Sequence, residues 1–470
     1  MMAASTGTGP LQLDWRDLGT AAADGAEVEI AGWMIGPHSA RASRFLLAAE
    51  PGCCASCIPR DPVTCIEVLA RTALPFTGEL VRLHGRWHVR RTNPAAWCYR
   101  LTEAQPVEPI GWRAVTRRGV LAGPLMCLVA YAPGTEPARA QEPAARAALM
   151  RLATVDIHSH AGAINGVRRV AEDAPLRPVA APMREGGLAV VCLAAVSDSP
   201  VHRVMADHRI HPFREPAPGE LYAWTQRAFA RAHKLADEQD MPIITDAASL
   251  AAARADRPSV VIASEGADFL EGRPDRVDEA YARWQLRHLQ LVHYRVNELG
   301  DIQTEAPVHG GLTDAGAAVV RRCNQLGLVV DVAHGTFDLV KRAAAVTTKP
   351  LVLSHTSLSA APKPRSRLIS PDHARAVAGT GGMIGIWPPV SRFPTLQAMA
   401  VGIARMVDVV GVDHVGLGTD MMGLTVPSVL GSYADLPRLA VELAGVGFAP
   451  AEVGKILGGN YVRVFAALLS

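Results

Sequence analysis

From Glu142 onward the chain alternates short apolar runs with amphipathic stretches. The runs are TVDIH (154–158), LAVVCLAAV (188–196), SVVIAS (259–264), HLQLVH (288–293), LGLVVDVAH (326–334), PLVLSH (350–355), GMIGIW (382–387) and HVGLGTD (414–420). They are rich in β-branched residues and nearly continuous in apolar character, as strands buried on both faces must be. Helical text lies between them, for example AGAAVVRRCNQLG (315–327) and SPDHARAVAGT (370–380). Eight such strands with crossover helices predict an α/β fold, a (β/α)8 TIM barrel over residues 146–470.

The first 110 residues carry a different pattern. After a loose terminus at 1–10, strand-like pieces such as VEIAGWMI, RFLLAAE, TCIEVLA and ELVRLHGRWHV are punctuated by Gly and Pro. They predict a small, mostly-β domain, and Val28–Trp33 and Val81–Trp87 are faintly OB-like.

Residues 111–145 form a linker of a third kind. Thr116-Arg-Arg-Gly-Val-Leu121 resembles a twin-arginine export signal, followed by an apolar run from Val120 to Ala132 and by Ala138-Arg139-Ala140, an A-x-A cleavage pattern. Its position inside the chain is unusual, and the run is shorter than the roughly 20 residues that span a bilayer. Two readings stay open. As a working signal, 113–140 places the catalytic part outside the cytoplasm or associated with the membrane through 119–132; as a linker with a short buried helix, it leaves the protein cytoplasmic.

Composition narrows the function. Hydrophobic residues make up 49% and charged residues 20% of 470, which excludes disorder over most of the chain. With 47 basic against 45 acidic residues, nothing electrostatic argues for a nucleic-acid partner. Six of eight cysteines fall in the first 127 residues: Cys53, Cys54, Cys57, Cys65, Cys98 and Cys127. Cys53-Cys54-Ala-Ser-Cys57 with Cys65 suits a metal or a redox pair, but no second C-x2-C is present, and incidental thiols are the plainer reading.

Catalytic residues of such barrels sit at the C-terminal ends of the strands. Strand one ends in Asp156-Ile-His158-Ser-His160, strand three in Glu265, strand four in His293, strand five in His334, strand six in His355 and strand eight in Asp420. Strands two and seven end in no residue that ligates metal or moves protons. His158 and His160, two apart on a strand, point the same way and can grip one ion. Glu265 has two oxygens with which to bridge two ions. Neutral imidazoles at His334 and His355 suit zinc, and a carboxylate at Asp420 suits proton transfer beside a metal-bound water. Each has an ordinary alternative, such as a helix-capping carboxylate or a histidine bonded to backbone; their joint occurrence at strand ends favours the chemistry.

Those residues carry a resemblance. The chain from about 150 to 468 is similar to the membrane (renal) dipeptidase family of metallopeptidases, peptidase family M19, an amidohydrolase-type barrel. The phrases are Asp156-Ile-His-Ser-His160, Ser264-Glu-Gly266, Leu291-Val-His293, Gly311-Leu-Thr-Asp-Ala-Gly316, the 323–334 stretch ending in Asp331-Val-Ala-His334, Pro350-Leu-Val-Leu-Ser-His355, the 411–420 stretch ending in Gly418-Thr-Asp420, and Gly458-Gly-Asn-Tyr-Val-Arg463. The resemblance implies two divalent ions, zinc, bridged by Glu265, with His158 and His160 on one and His334 and His355 on the other. It implies that His293 polarises the scissile carbonyl, that Asp420 is the general acid/base, and that Arg367, rather than Arg365, holds the carboxylate of a small dipeptide substrate. It also suggests a homodimer.

Two departures stand out. The family has H-x-D on strand one where this chain has H-x-H, so a neutral imidazole replaces an anion; and Met422 stands where the family often has a second aspartate. The expected activity is hydrolysis of dipeptides by a zinc-activated hydroxide. The rival is another amidohydrolase chemistry on acyl-amino acids or lactones, since fold does not fix substrate; a non-catalytic binding protein is a third, weaker reading.

Overall fold

Alternation of buried and exposed residues along the first strands folds them into a sheet that closes on itself. The computed structural model describes residues 10–13, 15, 23–35, 41–48, 65–75, 80–89, 99–107, 135–165, 175–207 and 209–468. It comprises two units, Met1–Pro124 with Pro389–Ala398, and Leu125–Pro388 with Met399–Ser470.

The first unit contains β1 (Leu11–Leu13), β2 (Glu27–Ile35), β3 (Arg41–Ala48), β4 (Cys65–Pro75), β5 (Leu80–Val89) and β6 (Tyr99–Pro106). Five of these pair in a ring, β2-β3-β4-β6-β5 and back to β2, with β1 added beside β2. All pairs in the ring are antiparallel except β4–β6. One parallel pairing in a closed five-stranded ring is the strand order of an OB-type barrel. Val28, Ile30 and Met34 of β2 and Val81, Leu83 and Trp87 of β5 point into its core, where Trp87 stacks on Tyr99 at 5.1 Å. Glu67 is buried among these strands. Burial would raise its carboxyl, but hydrogen bonds from Arg100 and Arg44 outweigh this and hold it below its usual value.

Cys53, Cys54, Cys57, Cys98 and Cys127 lie outside the described residues, as does the 113–134 part of the twin-arginine-like stretch. The last part of the 111–145 stretch is the start of a helix, α1 (Thr135–Leu149). It is held through Arg146, whose Nε and Nη2 donate to the carbonyls of Glu185 and Arg184. Among the described residues no helix is long and apolar enough to cross a membrane.

The second unit is built on eight parallel strands: β7 (Val155–Ser159), β8 (Val190–Val196), β11 (Ser259–Glu265), β12 (Leu286–Gln290), β13 (Val329–Asp331), β14 (Leu351–Thr356), β15 (Met383–Ile386) and β16 (Val415–Leu417). A short hairpin, β9 (His202–Val204) and β10 (Ile210–Pro212), follows β8. The eight run in spatial order from β7 to β16, each paired in parallel with its chain neighbour, so every sequence run named above is a barrel strand. Crossovers carry α2 (Ala180–Gly186), α3 (Glu220–Glu238), α4 (Ala247–Ala252), α5 (Asp275–Arg283), α6 (Asp314–Leu326), α7 (Phe337–Val346), α8 (Pro371–Ala378) and α9 (Leu396–Val410). After β16 come α10 (Leu436–Gly445), α11 (Pro450–Gly454) and α12 (Asn460–Ala467).

The first and last strands join just beyond β16. Asp420 N donates to His158 O at 2.9 Å, and His160 N to Met421 O at 2.9 Å. Asp156 reinforces the seam: its carboxylate accepts from Thr419 N at 2.8 Å, Thr419 Oγ1 at 2.6 Å and the Tyr433 hydroxyl at 2.8 Å. The residues that close the barrel are therefore the neighbours of those predicted to do chemistry.

Inside, Ile157, Cys192, Val261, Val329, Val352 and Met383 pack with Tyr461 and Phe465 of α12. The Tyr461 hydroxyl meets His288 Nδ1 at 3.1 Å, and His288 Nε2 meets Asp331 Oδ2 at 3.2 Å, so the buried polar groups are paired. The Ser354 carbonyl projects between two glycines. A Cβ on Gly385 would lie 1.8 Å from it, and one on Gly418 1.9 Å. Gly385→Ala is accordingly expected to destabilise the barrel by about 2–3 kcal/mol, read as a lower urea midpoint; an unchanged midpoint would show that this close approach is not required.

Candidate metal centre and active site

The strand ends converge on one carboxylate. Glu265 ends β11 at 3% exposure. Its Oε1 lies 3.4 Å from His158 Nε2, 3.2 Å from His334 Nε2 and 3.4 Å from His355 Nε2. Its Oε2 lies 3.1 Å from His160 Nε2 and 3.2 Å from His293 Nε2. The imidazoles also pair among themselves, His158 with His160 at 3.3 Å and His334 with His355 at 3.0 Å between Nε2 atoms. Asp420 Oδ1 stands 3.3 Å from His160 Nε2. All seven residues named for metal binding and proton transfer are thus brought together, and all are buried.

Local structure aims them. His158 lies on β7 and His160 just past its end, at the start of the turn Ala161–Ala163, and both rings reach Glu265. His334 and Asp420 adopt left-handed backbone, with φ of 65° and 49°. Non-glycine residues adopt this region at a cost, and such strain gathers at functional sites. Gly423 lies so close that a Cβ there would stand 2.0 Å from Asp420 Oδ1.

The outward nitrogens are also held. His160 Nδ1 lies 2.9 Å from Ala194 O and 2.9 Å from Asn165 Nδ2, and Asn165 Nδ2 donates to the same carbonyl at 2.8 Å. Ser354 Oγ lies 2.9 Å from His355 Nδ1 and 3.3 Å from His158 Nδ1. His334 Nδ1 has no hydrogen-bond partner among the described residues. A proton on His160 Nδ1, donated to Ala194 O, would leave Nε2 to face a metal once its own proton is displaced.

Electrostatics agree. Burial, added to neighbouring positive groups, holds His334 and His355 well below the usual imidazole range, so both are neutral and fit to ligate. Burial would raise Glu265, but His293, His158 and His160 carry it well below the carboxylate norm. Burial would lower His160, but Glu265 and Asp420 push it up to about 10. Nε2 atoms facing each other at 3.0–3.3 Å need a shared cation or proton between them. Ligands about 2.0–2.1 Å from a tetrahedral zinc lie roughly 3.3 Å apart, so the donor set and its spacing fit divalent metal. Among the described residues, three groups of donors whose ligand atoms lie within 4.8 Å of one another surround this centre, His158/His160/Asp420, His158/Glu265/His355 and Glu265/His293/His334, and a fourth, Asp198/His202/His293, adjoins it.

At the rim, Arg367 rather than Arg365 enters the site. Its Nη2 lies 3.0 Å from His355 Nε2, its Nη1 donates to Gln303 Oε1 at 2.9 Å, and its guanidinium lies 5.6 Å from the Trp387 ring. Arg365 is exposed, and its carbonyl accepts from Arg209. Met422 is 44% exposed.

Three contributors escape a reading of strand ends alone. Asp198 lies two residues past β8 and bonds His293 Nδ1 at 2.6 Å. Tyr294 packs edge-on against His293 at 4.5 Å and His334 at 4.9 Å. Trp387 follows β15. Strands two and seven therefore do supply the site, one or two residues beyond their last ladder bond. The signal was present in the sequence as Ser197-Asp198 and Ile386-Trp387.

The family model for membrane dipeptidase, peptidase family M19, matches residues 160–469. Dipeptidase verJ of Clonostachys rogersoniana is 29% identical over 219 residues, 45% of this chain and 55% of that protein. Dipeptidase aclJ of Aspergillus oryzae is 30% identical over 217 residues, 44% of this chain and 51% of that protein. The chain thus spans about half the length of the curated relatives it matches. The probable dipeptidase PvdM of Pseudomonas aeruginosa superimposes with a TM-score of 0.59 at 17% identity, over 70% of this chain and 98% of that one. A metallo peptidase from Rhodobacter sphaeroides, solved with a phosphinate mimic of the dipeptide L-Ala-D-Ala, gives 0.56 at 19%, over 67% and 99%. At these identities the structural likeness establishes the barrel fold.

Two outcomes are expected of metal binding. Zinc should raise the thermal midpoint of the wild-type chain by several degrees at saturating metal and that of Glu265→Gln by much less; equal shifts would place the ions elsewhere. Because Glu265 and Asp420 favour a proton on His160 up to about pH 10, metal must displace it. Affinity should therefore rise with pH between 6 and about 9, with proton release visible as buffer-dependent heats in calorimetry.

Proposed function

The chain belongs to the membrane dipeptidase family, peptidase family M19, and on that premise we propose that it hydrolyses the peptide bond of small dipeptides. The observation that carries the reading is the convergence of five buried imidazoles on Glu265, with Asp420 and Arg367 at the same centre. His158 and His160 would hold one divalent ion, His334 and His355 a second, with Glu265 between them; the imidazole-rich donors favour zinc. When bound, the ions lower the pKa of a shared water and draw electrons from the scissile carbonyl.

The remaining work falls to the chain. The Asp420 carboxylate, with Oδ1 3.3 Å from His160 Nε2, stands beside the ligands, placed to take the attacking water's proton and deliver it to the leaving amine. His293 Nε2 faces the Glu265 side and, when it too carries a proton, is placed to donate to the carbonyl oxygen as charge develops there. Arg367 offers a planar fork to the carboxylate of the substrate and sets how far a free C-terminus stands from the reacting carbon. That distance selects dipeptides over longer chains. The dipeptide mimic bound by the Rhodobacter sphaeroides peptidase supports a substrate of this size.

A second reading is favoured by His160 and Met422: another amidohydrolase chemistry, on acyl-amino acids or lactones. The two separate experimentally. Purified, zinc-loaded protein should cleave a panel of L,L- and L,D-dipeptides and lose that activity with chelator. Arg367→Ala should raise KM by about 10–100-fold, the loss of a charged hydrogen-bonded partner, with a smaller effect on kcat. Metal-loaded protein that cleaves no dipeptide, or an Arg367→Ala variant with unchanged KM, would favour the second reading.

A further inference from the structure

His293 lies on the segment after β12, beyond the last regular strand pairing. One fully buried carboxylate holds its ring. Asp198 Oδ1 accepts from His293 Nδ1 at 2.6 Å and from His202 Nδ1 at 3.1 Å, and Asp198 Oδ2 accepts from Tyr294 N at 3.0 Å. An ionised carboxylate only accepts, so the shared proton belongs to His293 Nδ1. Burial would raise the Asp198 carboxyl, but His293 and His202 hold it well below the usual range. The same residue thus holds the ring of one side chain and the backbone position of the next, and the Tyr294 ring in turn lies against His334.

We propose that Asp198 is a positioning residue for hydrolysis: it fixes the ring orientation of His293 so that Nε2 points to the reaction space. The assignment rests on the dipeptidase reading above. His202, bonded to the same oxygen at 3.1 Å, braces the carboxylate as well. An amide at position 198 would keep the shape while turning a donor toward His293 Nδ1. The Nδ1–H that Asp198 accepts would then face a donor, so the ring rotates and orientation fails although packing survives.

The test uses the full, zinc-loaded chain. Asp198→Asn should lower kcat about 10–100-fold, the usual scale for a residue that orients a site group, with KM within about twofold and bound metal unchanged. Added to His293→Ala, it should cost nothing further, as expected of two residues acting as one unit. Unchanged kcat, a loss confined to KM, or losses that multiply in the double variant would overturn the proposal. If Asp198→Asn does not fold, nitrogen NMR of histidine-labelled wild type decides it: His293 Nδ1 must carry a proton, and an unprotonated Nδ1 overturns the proposal. The same spectrum separates the two claims. A chain that cleaves no dipeptide but shows a protonated His293 Nδ1 refutes the dipeptidase reading and leaves the clamp standing.

Discussion

A carboxylate cannot be buried at the centre of a barrel without partners, and Glu265 is the charge to which the rest of the second unit answers. Five imidazoles from four other strand ends face its two oxygens. Keeping them there requires left-handed backbone at His334 and Asp420. It also requires glycine at 385 and 418, where the Ser354 carbonyl fills the space of a side chain. Asp156, pushed up to about 6 by burial despite four hydrogen bonds, ties the first strand to the last at the level of His158. Closing the barrel and assembling the site are one structural event.

The exchange of an aspartate for His160 fits this frame. Its Nδ1 is spent on the Ala194 carbonyl, and its Nε2 reaches both Glu265 and Asp420. The first donor group therefore has two imidazoles and draws its negative charge from Glu265 and Asp420 alone. A site with one anion fewer binds metal less through charge and more through the softer nitrogen donors, which is the chemistry expected of zinc.

Much of this was legible in the sequence. The eight strands were readable because each is an apolar, β-branched run buried on both faces, and their last residues were readable because strand ends in this architecture share one face. The remainder depends on geometry outside the strands. Ser197-Asp198-Ser-Pro reads as a turn, and only the fold brings it beside His293, 95 positions later. Arg365 and Arg367 are alike in sequence; the left-handed backbone at Arg365, with φ of 58°, accompanies an exposed side chain there, while Arg367 reaches His355. The ring of the first unit needs β4 to pair with β6 across an intervening strand, a contact between elements whose alternation carries no record of partner. The 113–134 stretch, with its export-like motif, falls outside the described residues.

The proposal that the strand ends would hold two divalent ions with Glu265 between them is tested by anomalous scattering from zinc-soaked crystals at the metal's absorption edge. Two peaks about 3.5–4 Å apart are expected, one beside His158 and His160, the other beside His334 and His355, with Glu265 between them. A single peak, or peaks remote from Glu265, would contradict it.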